Sequence, residues 1–425
     1  MTTTIGIPEI KSVGDTHLLN WQNLGIQVKL NRLVEKAEGV SAELVITKGG
    51  GHLYQARVNL LSPTSKRALA GEMQTRVNDI DWRVIIEQAF AKTLEAYRKG
   101  EPVIQVGNLP RREAPRYRLK PFILESEMCA LYAFGGSGKS ALSDLIAVSV
   151  QCGVQVCGLV PIKGNVLILD WETSKDTVDE RIKAIKKGMN ISSPELPYYR
   201  RCFHILASDI YEIQEEVAKK NIKLVIVDSA NMASGVTQDF HGPAQAMLAA
   251  LRSLQVSVLL IDHKPKTGET MFGTVIKFNS CRSAWELKGN QEEGSSLLNM
   301  KITHTKHNDT PKFRDLGFEV EFIGNDDITE SIIFKRKDVS EMQGFFAELP
   351  LKERIIALLR HNTRMEVKAI VDELADGTNE ASVRVILNRN KNLFVRLPTG
   401  EWGLLASGTG PMPDKPTPPV QGVLQ

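Results

Sequence analysis

The feature that most constrains this 425-residue chain is the run Gly135-Gly136-Ser137-Gly138-Lys139-Ser140. An apolar segment, Met128 to Phe134, stands directly before it, and a helical pattern, Ala141 to Val150, directly after. Strand, glycine loop, Lys-Ser and helix in that order is the phosphate-binding P-loop. Its glycines let backbone N–H groups close around phosphate oxygens, and the helix start adds its positive dipole end. Gly135, Gly136, Ser137, Gly138, Lys139, Ser140 and Ala141 are therefore the expected triphosphate cradle. Lys139 is expected to reach the β- and γ-phosphates, and the Ser140 hydroxyl to ligate Mg²⁺. ATP and Mg²⁺ are the expected ligands. One departure shows, because Ala133 stands where the pattern usually opens with glycine.

A phosphate cradle alone does not hydrolyse anything, so the strands that follow matter. Val166 to Leu169 ends in Asp170-Trp171-Glu172-Thr173, which puts carboxylates at a strand end. In open α/β sheets that end faces the ligand crevice. Glu172 is the candidate to orient and deprotonate the attacking water. The structural alternative is a helix-capping cluster, with Thr173 or Ser174 starting a helix over 176–188. Leu224-Val225-Ile226-Val227-Asp228 is four apolar residues closed by an acid, the pattern of a strand whose Asp228 holds Mg²⁺ opposite Ser140. A further strand, 256–261, ends in Asp262-His263-Lys264, where His263 is the candidate contact to phosphate or water. Arg282 is read as an arginine finger reaching a phosphate held by a neighbouring subunit, the alternative being an ordinary ion pair. Lys306 is a second cationic candidate.

Length and composition set the frame. The chain is too long for one ordinary domain. With 53 Lys/Arg against 50 Asp/Glu, its net charge of +3 makes no case for nucleic acid by itself. Five cysteines without CxxC spacing suit buried thiols in a reducing compartment. No apolar h-region opens the sequence and no apolar run reaches about eighteen residues, so no membrane association and a cytoplasmic location are expected.

Residues 1–107 read as a small α/β unit with strands over 26–33, 42–47 and 52–61 and helices over 65–76 and 81–98. A protein-interaction or oligomerisation role is the expectation for it. Residues 108–120 read as a basic, proline-punctuated linker. Residues 121–338 carry the βα alternation of an α/β domain, with strand runs at 128–134, 166–169, 203–206, 224–227 and 256–261. Three later strands, 297–305, 318–322 and 331–335, are expected to extend the sheet antiparallel at one edge. Residues 349–406 show three helical patterns, 351–361, 367–375 and 379–390, then a hairpin of 393–397 and 402–405. That is winged-helix order, with Arg384, Asn388, Arg389, Lys391 and Arg396 as the groups facing nucleic acid. Nine Lys/Arg against seven Asp/Glu over 351–406 is a weak electrostatic footprint, and winged helices also pair proteins. Residues 407–425, with five prolines, read as a disordered tail.

Taken together, GGSGKS, LILDWETS, LVIVDS, LLIDHKPK and GTVIKFNSCRSAW resemble RecA-type ATPases, within the AAA family in the broad sense. The closer resemblance is to the RepA-like branch of hexameric replicative helicases. It covers roughly residues 121–337. It implies a RecA-like P-loop NTPase core with a mostly parallel sheet, in which Glu172 activates water, Asp228 serves the metal and His263 senses phosphate. It also implies a homo-oligomeric ring, expected to be a hexamer, with Arg282 supplied by the neighbour. The sequence departs from many relatives in having Asp262 where a second sensor histidine is common. The implied function is an ATP-hydrolysing helicase or remodeller of DNA in replication, recombination or repair. A nucleotide-switched regulator or loader without unwinding is the alternative, and a P-loop small-molecule kinase is disfavoured by the lack of an Arg-rich lid. The loops 230–240 and 264–270 are read as candidates to line a ring pore, with Lys264, Lys266 and Lys277 as their charges.

Overall fold

The structure is a computed structural model that describes all residues except 1–4, 14–15, 100–102, 104, 108–115, 236–240, 266–274, 326–327, 343 and 406–425. Most of the basic linker, the Pro-rich tail, Lys266 and the Phe272-Gly273-Thr274 segment lie outside the described residues. The described chain divides into two compact units: Met1–Arg116 with Cys202–Val225 and Met232–Val256, and Tyr117–Arg201 with Ile226–Asn231 and Ser257–Gln425.

The first unit is built on a five-stranded sheet of Glu9–Val13, Thr16–Trp21, Ile26–Lys36, Gly39–Lys48 and Gly51–Asn59, in chain order and antiparallel throughout. Strict alternation drives it. Ile26, Val28 and Leu30 are buried, while Gln27, Lys29 and Asn31 between them are part-exposed. Helices Pro63–Arg76 and Trp82–Lys99 contribute Leu69, Met73, Ile85, Ile86 and Phe90 to one core with the sheet. Ser62 starts the first helix by accepting from the Ser65 N–H at 3.2 Å, with Pro63 just inside. The sequence pattern misses the first two strands, which are short and mixed in polarity. It also gives no hint that helix Leu206–Lys219 belongs to this unit. Arg32 reaches Glu212 of that helix at 2.7 Å, and Lys29 pairs with its Glu215. Such partners are far apart in sequence.

The nine-stranded sheet runs in the order Tyr198–Arg201, Asn165–Asp170, Ile222–Asp228, Ser257–His263, Met128–Ala133, Ser283–Gln291, Leu297–His307, Leu316–Gly324 and Thr329–Lys337. It is mostly parallel, consistent with a RecA-like P-loop core, and the last strands join antiparallel as expected. The P-loop strand Met128–Ala133 is wholly buried, as is nearly all of the helix Lys139–Cys152 that follows it. One expected strand is absent. Residues 203–206 do not form a strand: Phe203 is exposed and Leu206 opens a helix, while the edge strand is Tyr198–Arg201. A polar edge strand shows no apolar run, so hydropathy points to the wrong segment.

The same unit ends in helices Leu351–Asn362, Val367–Leu374 and Glu380–Arg389 and a three-stranded sheet ordered Arg364–Met365, Trp402–Leu404, Phe394–Arg396. Ile355, Leu359, Ile370, Val383, Leu387 and Phe394 form its core. The two-residue strand Arg364–Met365 is too short to leave a periodic signal. All five cysteines are free thiols, Cys157 part-exposed and the others buried. Among the described residues no helix is long and apolar enough to cross a membrane.

Candidate active site

The P-loop turns because two of its residues sit in left-handed backbone, Gly136 at φ 74° and Gly138 at φ 86°. Gly138 is constrained twice, since a Cβ there would come within 2.3 Å of Met300 Cε and 2.7 Å of Leu298 Cδ2. Ala133, at the position usually held by glycine, is the buried last residue of its strand and is not left-handed. An alanine therefore fits without strain. The Lys139 ammonium donates to the carbonyls of Ala133 at 3.2 Å and Phe134 at 2.8 Å, inside the curl of the loop. Burial holds its pKa below the usual lysine value, against the opposing pull of Asp228, Glu172 and Asp262. Gly289, on the adjacent strand, is a residue that sequence reading missed. A Cβ there would lie 2.7 Å from the Ser137 carbonyl oxygen, so only glycine lets that strand pass so close to the loop.

The carboxylates converge at neighbouring strand ends. Asp170 is buried, and its Oδ1 accepts from the backbone N–H groups of Glu172 and Thr173, each at 2.7 Å. This folds the chain into a turn that carries Glu172. Burial raises the Asp170 pKa, while those hydrogen bonds and Arg201, 3.4 Å away, oppose the rise. Of the two residues expected to start the next helix, Ser174 does so, accepting from the Thr177 N–H at 3.2 Å. Glu172 is left to other work. Its Oε1 accepts a hydrogen bond from the Ser229 hydroxyl and lies 3.5 Å from His263 Nε2. The Trp171 N–H donates to the Asp228 carbonyl at 2.8 Å, so the two strand ends are cross-linked by backbone as well. Glu172 also borders an open pocket of about 630 Å³, lined with Ser174, Lys175, Asp176, Tyr199 and Arg201, which gives water a path to it.

Asp228 is the electrostatic focus. Burial, and then the negative charges of Asp170, Glu172 and Asp144, push its pKa up to about 7, with Arg181 opposing. Asp144, on the P-loop helix, is itself raised to about 6 by burial although it is ion-paired with Arg181. Buried carboxylates crowded in this way are a site that a cation stabilises. Among the described residues no group of three or more His, Cys, Asp or Glu is arranged to hold a metal ion alone. Asp228, the acid whose charge Lys139 feels most, suits Mg²⁺, which typically takes one or two protein ligands together with phosphate oxygens. Asp228 and the Ser140 hydroxyl are the groups that could hold it.

His263 closes the next strand, facing Glu172 as above. Its neighbours are structural, and two of them correct the pore reading. Lys277 is buried, and its ammonium lies 2.5 Å from Asp262 Oδ2. Lys264 pairs with Glu286 at 2.5 Å and stands over the Phe134 ring. Each lysine is paired within the fold, Lys264 while half-buried and Lys277 in full burial, where an ammonium needs a counter-charge. Asp262, in place of a second histidine, is thus the anchor for the helix Val275–Ser280.

Arg282 and Lys306 are not brought to this cluster. Arg282 precedes Ser283–Gln291, which runs parallel to the P-loop strand, and its N–H bonds the carbonyl of Met128. The P-loop follows Ala133 at the other end of that strand, roughly 16 Å away at about 3.3 Å per residue. The Arg282 side chain is exposed, 3.8 Å from Glu127. Lys306 lies near the same end, donating to the carbonyls of Phe278 at 3.0 Å and Asn279 at 2.9 Å. Within one copy of the chain neither reaches the phosphate cradle.

A family model described as an AAA domain matches residues 100–269, which include the P-loop, Glu172, Asp228 and His263. No curated protein matches the chain. Among solved structures, a KaiC-like protein from the hyperthermophilic archaeon Pyrococcus horikoshii OT3 is similar at 13% sequence identity. That likeness covers 51% of this chain and 93% of the other, with a TM-score of 0.36, and adds nothing to the sheet order itself. The AAA-domain match, over a stretch holding a complete P-loop, supports a P-loop ATPase, a class that binds nucleotide and usually Mg²⁺.

Proposed function

We propose that the chain is a RecA-type ATPase that hydrolyses ATP and couples the energy to work on DNA, as a RepA-like helicase or remodeller. The observation that carries the hydrolytic part is the convergence of Glu172, Ser229 and His263 beside Asp228, with Lys139 feeling the charges of Asp228 and Glu172. Bound Mg²⁺ would supply charge neutralisation on the phosphate oxygens. The protein's own groups do the rest. Lys139 and the loop N–H groups from Gly135 to Ala141 hold the phosphates. Glu172 takes the proton of the attacking water, and His263 beside it registers whether phosphate is present. Arg282, at the opposite end of the sheet from its own P-loop, serves the site of a second copy in a homo-oligomeric ring of, we propose, six subunits.

The DNA part rests on the C-terminal helices and three-stranded sheet, whose order suits a winged helix. Helix Glu380–Arg389 carries Arg384, Asn388 and Arg389, with Lys391 just beyond it and Arg396 on the hairpin. The first unit, with no metal-ligating cluster among its described residues, is proposed as a protein-interaction module. The test is steady-state ATP turnover with and without single- and double-stranded DNA at two salt concentrations, paired with a strand-displacement assay and mass measurement in ATP. The reading predicts turnover stimulated by DNA, unwinding, and an assembly larger than a monomer. DNA-independent turnover in the assembled protein sinks the DNA role. Duplex binding without strand separation selects the nucleotide-switched regulator or loader instead.

A further inference from the structure

Ser229 stands in the convergence described above but takes no step in the scheme. Ser229 is buried, with 1% of its surface exposed, and its hydroxyl donates to Glu172 Oε1, on the end of another strand. A buried serine hydroxyl commonly turns back on a nearby backbone carbonyl. This one bridges to the proposed catalytic carboxylate. Ser229 is also the residue directly after Asp228, so the hydrogen bond fixes Glu172 relative to the metal-holding acid. With Oε1 engaged by Ser229 and faced by His263 Nε2 at 3.5 Å, the other carboxylate oxygen is the one left for a substrate water.

We infer that Ser229 is the positioning residue of the water-activating carboxylate: it clamps Glu172 Oε1 and so assigns Oε2 as the proton acceptor. The inference rests on the ATPase reading. In the reaction a water proton passes to Oε2 as the water oxygen bonds the γ-phosphorus. The bond from that phosphorus to the bridging oxygen breaks, its electron pair leaving with ADP. Without the clamp the carboxylate rotates among several orientations, of which few aim a basic oxygen at the water. Misplacement of a reacting group by about 1 Å can lower a rate about 10²-fold.

The experiment measures ATP turnover, KM and nucleotide affinity for the full chain with Ser229→Ala, Ser229→Thr, Glu172→Gln and the double variant Ser229→Ala/Glu172→Gln. Thermal unfolding of each shows which are folded. Ser229→Ala is expected to lose about 10–10²-fold in kcat, with KM and nucleotide affinity within about twofold of the parent. Ser229→Thr, which keeps the hydroxyl, is expected to recover most of that loss. In the Glu172→Gln background the alanine is expected to lower residual single-turnover hydrolysis no further, because Ser229 acts only through Glu172. Normal turnover by Ser229→Ala overturns the inference, as does an equal loss in both backgrounds, which marks a purely structural serine. If threonine misfolds, the double-variant cycle still decides. If Glu172→Gln itself turns over ATP normally, the ATPase role of Glu172 falls and takes Ser229 with it. If Glu172→Gln is inactive and Ser229→Ala is normal, only Ser229 falls.

Discussion

Glu172 Oε1 and His263 Nε2 stand 3.5 Å apart, joining the ends of two strands that are not neighbours in the sheet. The Asp228 strand lies between them, so all three side chains report on one small volume. Glu172→Gln is expected to keep nucleotide binding while lowering turnover by at least about 10³-fold, since the amide cannot take a proton. His263→Ala is expected to lower kcat by about 10–10²-fold with nucleotide affinity nearly unchanged, a group acting through reaction geometry. Isothermal titration with a non-hydrolysable ATP analogue and a phosphate-release assay check both. Retained turnover in Glu172→Gln removes it from the catalytic role.

The close passage of Gly289 under Ser137 makes a second prediction. Gly289→Val pushes a side chain into the P-loop backbone and is expected to weaken ATP affinity by at least about tenfold, roughly 1.4 kcal/mol. Gly71→Ala is the control. Gly71 sits in the exposed face of helix Pro63–Arg76 with nothing near its Cβ position, and alanine there is expected to stabilise by about 0.5–1 kcal/mol. Affinity in the first case and urea unfolding in the second are the measurements. An unchanged affinity in Gly289→Val refutes the steric argument.

His304 supplies a pH prediction. Its ring stacks on Trp285 with centroids 3.9 Å apart, and its Nδ1 accepts from the Phe313 N–H at 3.0 Å. The proton therefore sits on Nε2, which donates to the Ser283 hydroxyl at 3.0 Å. Burial, chiefly, lowers its pKa to about 4 from an ordinary 6.5. Between those values the unfolded chain binds a proton that the native state refuses. The contribution is thus full above about pH 6.5 and is lost as pH falls through about 4, up to on the order of 3 kcal/mol. Asp228, raised by burial, acts with the opposite sign over a range ending near pH 7. The difference between wild type and His304→Gln isolates the histidine. On going from pH 7.5 to pH 5 the urea midpoint of wild type is expected to fall further, or rise less, than that of the variant, and an equal change in both proteins sinks the assignment.

Arg282 gives a prediction about assembly. If it completes the site of another copy, Arg282→Ala and Glu172→Gln are each expected to be inactive alone. Mixed together they form some interfaces with both groups intact, and turnover is expected to reappear. Arg282→Ala proteins that hydrolyse ATP at the parent rate, or a mixture as inactive as its components, refute the shared site.

How much of this was legible without coordinates follows from the range of each interaction. The P-loop, the strand ending at Asp228 and the Ser174 helix start are set by residues within a few positions of one another, and local spacing reveals them. The helices of the C-terminal part carry strong 3.6-residue periodicity and are equally visible. The edge strand Tyr198–Arg201 is polar, and the apolar residues after it misled, because a strand held by its neighbour needs no hydrophobic signature. Lys277 looked like an exposed cation among loop residues, yet the fold buries it on Asp262, fifteen residues away.

The sequence by itself singled out the candidates for the chemistry, since Lys139, Glu172, Asp228 and His263 each follow or end a recognisable strand. Only the tertiary structure decided which of them touch. It placed Ser229 on Glu172, held Arg282 at the far end of the sheet, and required glycine at 289 beneath the loop. Those facts depend on how non-adjacent strands line up across the sheet. That alignment is fixed by burial of whole faces, not by any residue's neighbours along the chain.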